Sequence, residues 1–406
     1  MLRFLTAGES HGQALVSTVE GLPAGLAIDQ DALARDLRRR QLGYGRGRRM
    51  QIEMDTAEIL SGVRKGHTLG SPVAMLIRNR DWKNWQQTMH VSPEAPAEAT
   101  GARRAPVTRP RPGHADLAGA LKYDRGDMRD ILERASARET AARVAAGALA
   151  RQFLAALDIH VVSHVFTLGA VSLGDPLVVT YEQIAAIDDE AALHCVDDTV
   201  QQQMIEAIDA ARAAGDTLGG AFEVVVRGLP PGLGSYVQWD RKLDGRLAQA
   251  VMSIPAIKAV GIGKGVGVAS VPGSQVHDEI VLPAAGDEGR IMGVSRPTNR
   301  AGGLEGGVTN GEDLRITGYM KPISTLMKPL RSVDLQTMQE SPAAIERSDV
   351  CAVPAAAVVA EAMVAFVLAD AVLERFGADT LDDIKAAISR AEARVQQRFH
   401  PAPAEA

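Results

Sequence analysis

Four short stretches of this chain hold residues whose types and spacing could do chemistry. "GESHG", residues 8–12, sets His11 between small residues just after the apolar run "LRFLTA". Such a histidine can be an ordinary loop residue, but the flanking glycines allow close backbone approach to a bound group. "RPRPGHAD", residues 109–116, fixes the backbone around Arg109, Arg111 and His114 with two prolines and a glycine. It reads equally as a stiff connector or as a rigid display of Arg and His for an anion. A histidine beside a bound phosphate can serve as an acid. "ERASARET", residues 133–140, flanks Ser136 with Arg134 and Arg138. A capping box, Ser136 with Glu139, accounts for the serine and the glutamate. It leaves arginines at the positive end of a helix, a mismatch that a bound anion would repair. "ERSD", residues 346–349, offers Arg347 and Asp349 before a long apolar run, and either mutual pairing or a functional role fits them.

Positive charge is concentrated elsewhere too. "RRRQLGYGRGRR", residues 38–49, holds six arginines in twelve positions, within a chain of net charge -6. A nucleic acid would explain that density, and so would a small polyanion held in a pocket. Overall acidity argues against a protein that coats nucleic acid. The 4% aromatic content leaves few stacking platforms for single strands. Of the 44 cationic residues 35 are Arg, so most can make forked contacts with phosphate or carboxylate.

The glycine loops name no cofactor. "GIGKGVG", residues 261–267, lacks the spacing of a dinucleotide fingerprint, and a phosphate loop of the form G-x-x-x-x-G-K-[ST] does not occur. "TNRAGGLEGGVTNG", residues 298–311, could wrap a planar or phosphorylated group. "MKPIST", residues 320–325, follows with a lysine and two hydroxyls. A metal site is not expected. The nine histidines include no H-E-x-x-H, and His160 and His164 fall in a Val-rich strand.

The elements that must position these residues follow from pattern. The 406 residues are 46% hydrophobic and 23% charged, which fits a globular chain with a large core. No signal-peptide core opens the chain. The longest apolar run, "VCAVPAAAVVAEAMVAFVLADAVL", carries Glu361 and Asp370 and reads as a core helix, not a membrane span. Two cysteines, Cys195 and Cys351, fit a reducing cytoplasm. Helices are expected at 29–41, at 240–253, from Ser136, from Thr199 to Gly215, from Pro354 to Gly377, and after Thr380. Residues 92–106 read as a surface loop and the tail 400–406 as disordered. An internal echo is visible: "GLPAGL" at 21–26 and "GLPPGL" at 228–233 each follow a strand and precede a helix, then a glycine-rich loop. It points to one domain over 1–406 with two similar halves, roughly 1–210 and 211–406. Without clean βαβ alternation, an α+β sandwich is expected.

Taken in order, "GESHG", "DLRRRQLGYGRGRRM", "RPGHADLAGALKY", "ERASARETAARVAAGA", "GLGSYVQWDRKLDGRLAQAV", "NRAGGLEGGVTNG", "MKPIST" and "ERSD" make the chain resemble chorismate synthases over nearly its whole length. The resemblance implies a β-α-β sandwich with pseudo-twofold halves. It implies a homotetramer that uses reduced FMN to eliminate phosphate from 5-enolpyruvylshikimate 3-phosphate, giving chorismate with no net redox. NADPH, or a separate flavin reductase, would supply the reducing equivalents.

Several residues match the family's site. The resemblance implies catalytic roles for His11 near the departing phosphate, His114 near the flavin ring, and Asp349 near flavin N5 and the C6 proton. Substrate contacts would come from Arg40, Arg46, Arg49, Arg111, Ser136, Arg138 and Arg347. FMN contacts would come from Arg134, Ala135, Ser136, Ala256, Gly306, Gly307, Lys321, Pro322, Ile323, Ser324, Thr325 and Arg347. Ala135 and Pro255 depart from the Ser and Asn that many relatives carry, which weakens side-chain contacts to FMN at those points. Other readings are a nucleic-acid-binding protein working through residues 38–49, or an inactive scaffold of the same fold.

Overall fold

The structure is a computed structural model that describes residues 1–47, 53–92, 105–283, 293–345, 349–377 and 379–399. Arg49, Arg347 and the tail 400–406 lie outside the described residues, as does most of the 92–106 loop.

The first half opens with the antiparallel strands β1 (Arg3–Ala7) and β2 (Ala14–Glu20), joined through the GESHG turn. Gly8 has φ +105°, and a Cβ there would lie 2.3 Å from the Ala14 carbonyl oxygen, so the turn requires glycine. Helix α1 (Gln30–Gln41) follows, with Asp29 accepting from the amides of Asp31 and Ala32. Then come β3 (Ala57–Ile59), a small hairpin of β4 (Val63–Arg64) and β5 (His67–Thr68), and β6 (Val73–Arg78). The sheet order is β1-β2-β6-β3. Alternating burial along β2 shows why: Leu15, Ser17 and Val19 face the core, and the intervening residues are less buried.

Three helices complete this half: α2 (Asp116–Tyr123), α3 (Arg129–Ala135) and α4 (Thr140–Ala155). The expected capping box at Ser136 does not form. Ser136 ends α3, its hydroxyl accepts from the Arg138 amide at 3.3 Å, and Glu139 pairs with Arg143 at 2.9 Å. An i,i+4 ion pair has captured the glutamate that would have reached back.

The second half repeats the plan. Strand β7 (His160–Leu168) pairs with the short β8 (Val171–Ser172) and with β9 (Gly220–Arg227). Between them lie α5 (Tyr181–Ala185) and α6 (Asp198–Ala214), the latter stopped by Gly215 in the left-handed region. Helix α7 (Leu243–Met252) follows β9. After it come β10 (Ile257–Ile262), the two-residue strands β11 (Leu304–Glu305) and β12 (Val308–Thr309), and β13 (Leu314–Met320). A hairpin of β14 (Arg331–Asp334) and β15 (Gln339–Pro342) precedes α8 (Val353–Phe376) and α9 (Leu381–Phe399).

The second sheet runs β10-β13-β9-β7-β8. Without its edge strand β8, its order matches the first sheet strand for strand, with β7, β9, β13 and β10 standing for β1, β2, β6 and β3. In both sheets a helix follows the second strand and a long helix follows the last. We infer from this correspondence that the second half begins after α4, near residue 156. The glycine loops do not correspond: "GYGRGRR" leaves α1 directly, whereas "GIGKGVG" lies at the end of β10.

The helices lie between the two sheets. α4 packs on β2, α8 packs on β7 and β9, and α4 and α8 pack on each other, flanked by α1 and α7. A helix enclosed on all sides must be apolar all round, which is what the Ala-rich α8 is. By length and composition it could cross a membrane, but 89% of its apolar window is buried inside the protein. Small residues set the helix spacing: a Cβ on Gly147 of α4 would lie 2.3 Å from the Cβ of Ala362 on α8.

Candidate active site

The GESHG turn is fastened to α3. Ser10 N–H donates to the Glu133 carbonyl at 2.9 Å, and His11 N–H donates to Glu133 Oε2 at 2.8 Å. His11 Nδ1 lies 3.0 and 2.9 Å from the two Glu133 oxygens. The imidazole stacks on Trp85 with ring centroids 3.9 Å apart, and Arg129 lies 5.4 Å from the Trp85 ring. Arg134 donates to Thr6 O, Thr6 Oγ1 and Gly8 O at 2.8–3.1 Å. These bonds hold the turn.

Asn79 connects this turn to a buried ion cluster. Its Nδ2 donates to Gly12 O at 2.7 Å, and its Oδ1 accepts from Arg138 Nε at 3.0 Å. Arg138 Nη1 and Arg40 Nη2 converge on the Asp55 carboxylate at 2.6 Å each. Burial lowers the Arg40 pKa, and the cations of Arg138 and Arg46 add to that against the pull of Asp55. Burial alone would raise the Asp55 pKa, but Arg40 and Arg138 outweigh it and hold the carboxyl below its ordinary value. Among the described residues Arg40 Nε and Arg138 Nη2 are buried without a hydrogen-bond partner, with Glu53 Oε2 3.8 Å from Arg138 Nη2. Buried guanidinium N–H groups are costly to leave unmade, so they mark a place fit for an anion.

Arg46 pairs with Asp349 at 2.8 Å, and Gly47 N–H donates to the other Asp349 oxygen at 2.6 Å. The "GYGRG" loop and the segment before α8 are thereby joined, with Val350 N–H bonded to Gly45 O.

A third group sits at the start of α2, which packs on α3. Asp116 is fully buried and accepts from Arg111 Nε at 2.8 Å, and His114 Nδ1 lies 2.6 Å from its Oδ1. Burial would raise the Asp116 pKa, but the bonds from His114 and Arg111 hold it well below the usual carboxylate range. Arg111 also reaches Thr325 Oγ1 at 3.3 Å. A Cβ on Gly113 would contact Lys321 Nζ and Ser324, so the RPGHAD and KPIST segments face each other.

Lys321 N–H bonds the carbonyl of Ala256, a non-glycine residue held at φ +69°. Burial, then the neighbouring Lys258, lowers the Lys321 pKa. Its Nζ donates to Pro322 O at 3.3 Å, and among the described residues no carboxylate pairs with it. Two amines beside the Ser324 and Thr325 hydroxyls are a donor set that fits a phosphate. Gly306 and Gly307 lie elsewhere, against Tyr236 and Lys242 near the start of α7.

Most of the expected residues thus fall into linked groups: His11; Arg40 with Arg138 and Ser136; Arg46 with Asp349; and Arg111, His114, Ala256 and residues 321–325. Sequence reasoning missed Glu133, Trp85, Asn79, Asp55 and Asp116, which hold them. The acidic partner inside "GHAD" and the first residue of "ERAS" were the available signals. Asn79 and Asp55 had none, because they arrive from distant loops.

A cavity of about 320 Å³ lies on the other side of α1, lined by Arg35, Asp36, Arg39, Arg151 and Asp189 among others. Arg39 and Arg151 there meet three carboxylates, Asp36, Asp189 and Glu361; Arg39 Nε, which makes no hydrogen bond, still lies 2.9 Å from Asp189 Oδ1, whereas Arg138 Nη2 lies 3.8 Å from Glu53.

The family model for chorismate synthase matches residues 2–373. The chain is 56% identical to the chorismate synthase of Koribacter versatilis, with 95% of this chain and 97% of that protein covered. It is 58% identical to that of Moorella thermoacetica, with the same 95% and 97% covered. A solved structure, "Crystal Structure of Chorismate Synthase", superposes with TM-score 0.76 at 40% identity and 98% coverage of both chains.

Proposed function

The chain belongs to the chorismate synthase family of lyases, and from that we propose that it eliminates phosphate from 5-enolpyruvylshikimate 3-phosphate to give chorismate. The C3–O bond to phosphate breaks, a proton leaves C6, and the electron pair becomes a second ring double bond. The observation that carries this reading is the convergence of Arg40 and Arg138 on Asp55 with buried N–H groups left over. The substrate brings a phosphate and two carboxylates, and forked cations stabilise several anionic groups as they leave water.

Reduced FMN, when bound, supplies electron density transiently and is regenerated, so the reaction is redox-neutral. Lys321, Ser324 and Thr325, with Lys258 beside them, would hold its phosphate. Arg111 and Ser136 would bind substrate, and Arg49 and Arg347 would join them from outside the described residues. His11 would hold a proton near the departing phosphate. His114 has its Nδ1 against Asp116, which leaves Nε2 to move a proton at the flavin side. Asp349, anchored by Arg46 and the Gly47 amide, would take the C6 proton. The protein would act in the cytoplasm as a homotetramer, with NADPH or a separate reductase as the source of electrons. The low exposure of the Arg39, Arg40 and Arg46 side chains supports a small anion over a nucleic acid.

The test is anaerobic phosphate release from the substrate with purified protein and reduced FMN. Many turnovers per flavin are expected. One product per FMN oxidised would refute the lyase chemistry proposed here.

A further inference from the structure

Four residues surround the His11 ring and turn, and three of them come from one helix. Glu133, with its side chain 1% exposed, accepts from the His11 amide and faces Nδ1 with both oxygens. Its backbone carbonyl takes the Ser10 amide. Arg134, next in sequence, ties down Thr6 and Gly8. Arg129, one turn earlier, lies 3.6 Å from Glu133 and over the Trp85 ring that stacks on His11.

A carboxylate only accepts hydrogen bonds. At 2.9 Å from Glu133 Oε2, Nδ1 must therefore carry the hydrogen. Nε2, the atom on the far side of the imidazole, is then the one left to take up and give a proton. Trp85 fixes the ring plane, and the bond from the His11 amide fixes the backbone from which the ring projects. An imidazole on an unanchored turn would sample both tautomers and several rotamers.

We propose that Glu133 is the positioning residue for His11: it holds the proton on Nδ1 and, with Trp85, fixes the direction of Nε2, the atom left to exchange a proton. This rests on the reading of His11 as a proton-handling residue of the elimination.

Two measurements test it. In long-range proton–nitrogen spectra of ¹⁵N-histidine-labelled wild type, the His11 signal is assigned by its loss in His11→Ala. It should show a proton on Nδ1, with or without one on Nε2; a ring protonated on Nε2 alone overturns the proposal, with no variant needed. Glu133→Gln can accept at only one oxygen. Its kcat should fall about 10–100-fold, the range found when partners that orient a histidine are changed. The substrate KM and flavin affinity should stay within about threefold. In the His11→Ala background the same change should cost less than about twofold, because the residue acts through His11. An unchanged kcat, or a full additive loss in that background, overturns the proposal. Should wild type release no phosphate from the substrate, the functional reading fails while the tautomer result still stands by itself.

Discussion

Arg39 and Arg40 are neighbours on α1, and a helix turns successive side chains about 100° apart. That rotation sends them into two different charged interiors. Arg39 makes a two-pronged contact with Glu361 of α8 at 2.7 and 2.8 Å and meets Asp189 at 2.9 Å. Arg151 of α4 reaches Asp36 and Glu361, and Ser163 donates to Glu361. Two arginines there face three carboxylates, and the group is closed. On the other face Arg40 shares the Asp55 carboxylate with Arg138, Glu53 lies 3.8 Å from Arg138 Nη2, and among the described residues Arg40 Nε and Arg138 Nη2 have no hydrogen-bond partner. One cluster ties two core helices and α1 together, while the other leaves guanidinium N–H groups without a hydrogen bond. On the proposed reading, similar residues at adjacent positions serve stability or ligand binding according to how completely their N–H groups are matched at home.

The sharpest way to break this distinction is a crossed pair of variants. Glu361→Gln removes the buried carboxylate that Arg39 and Arg151 share and leaves them Asp189 and Asp36, so chemical denaturation should show a loss of about 3 kcal/mol, the low end for breaking a buried pair. The turnover of whatever remains folded should be little changed. His114→Ala should do the reverse, cutting turnover about 10²–10⁴-fold with little change in melting temperature. If His114→Ala unfolds the protein, or Glu361→Gln silences a stable one, the two regions are not separable.

Acid should expose the closed cluster next. Burial would raise the Glu361 pKa, but Arg39 and Arg151 bring it down to about 2. A depressed carboxylate pKa stabilises the fold above its unfolded value of about 4.5 and loses that contribution as pH falls toward 2. The shift corresponds to roughly 3 kcal/mol. Asp36 is shifted upward, chiefly by burial, and offsets part of it. Denaturation midpoints between pH 6 and 3 should fall in wild type and fall less steeply in Glu361→Gln. Equal slopes would mean that other carboxylates dominate.

Arg40→Ala should weaken substrate binding by about 1.5–3 kcal/mol, the scale of a hydrogen bond to a charged group. Asp55 keeps Arg138, so the melting temperature should drop less than in Glu361→Gln. Calorimetry showing unchanged affinity would remove Arg40 from the site. Arg38, the third residue of the run, pairs with Glu190 in the open, with the two side chains 65% and 55% exposed. Arg38→Ala should change stability by less than about 0.5 kcal/mol and leave binding alone.

Local grammar made much of this legible. Asp29, Pro354, Gly215 and Thr380 mark helix ends by capping and backbone chemistry that act within one turn. The alternation along β2 and the apolar run of α8, broken only by Glu361 and Asp370, announce their burial. The motifs marked His11, His114 and the arginines as candidates while leaving an ordinary loop or connector open, and the family resemblance implied their roles. At Ser136 the same grammar failed, since a capping box and an i,i+4 ion pair compete for one glutamate.

What the sequence determined alone, then, was the set of elements and the residues able to bind anions and move protons, since periodicity and side-chain chemistry are local properties. The tertiary structure decided which charges would be matched. Glu361 lies 322 positions from Arg39, Asp55 lies 83 from Arg138, and Glu133 lies 122 from His11. No local pattern carries those pairings. They exist because two sheets close on a shared helical layer, and only that closure separates a guanidinium met by carboxylates in the core from one whose N–H groups stay available.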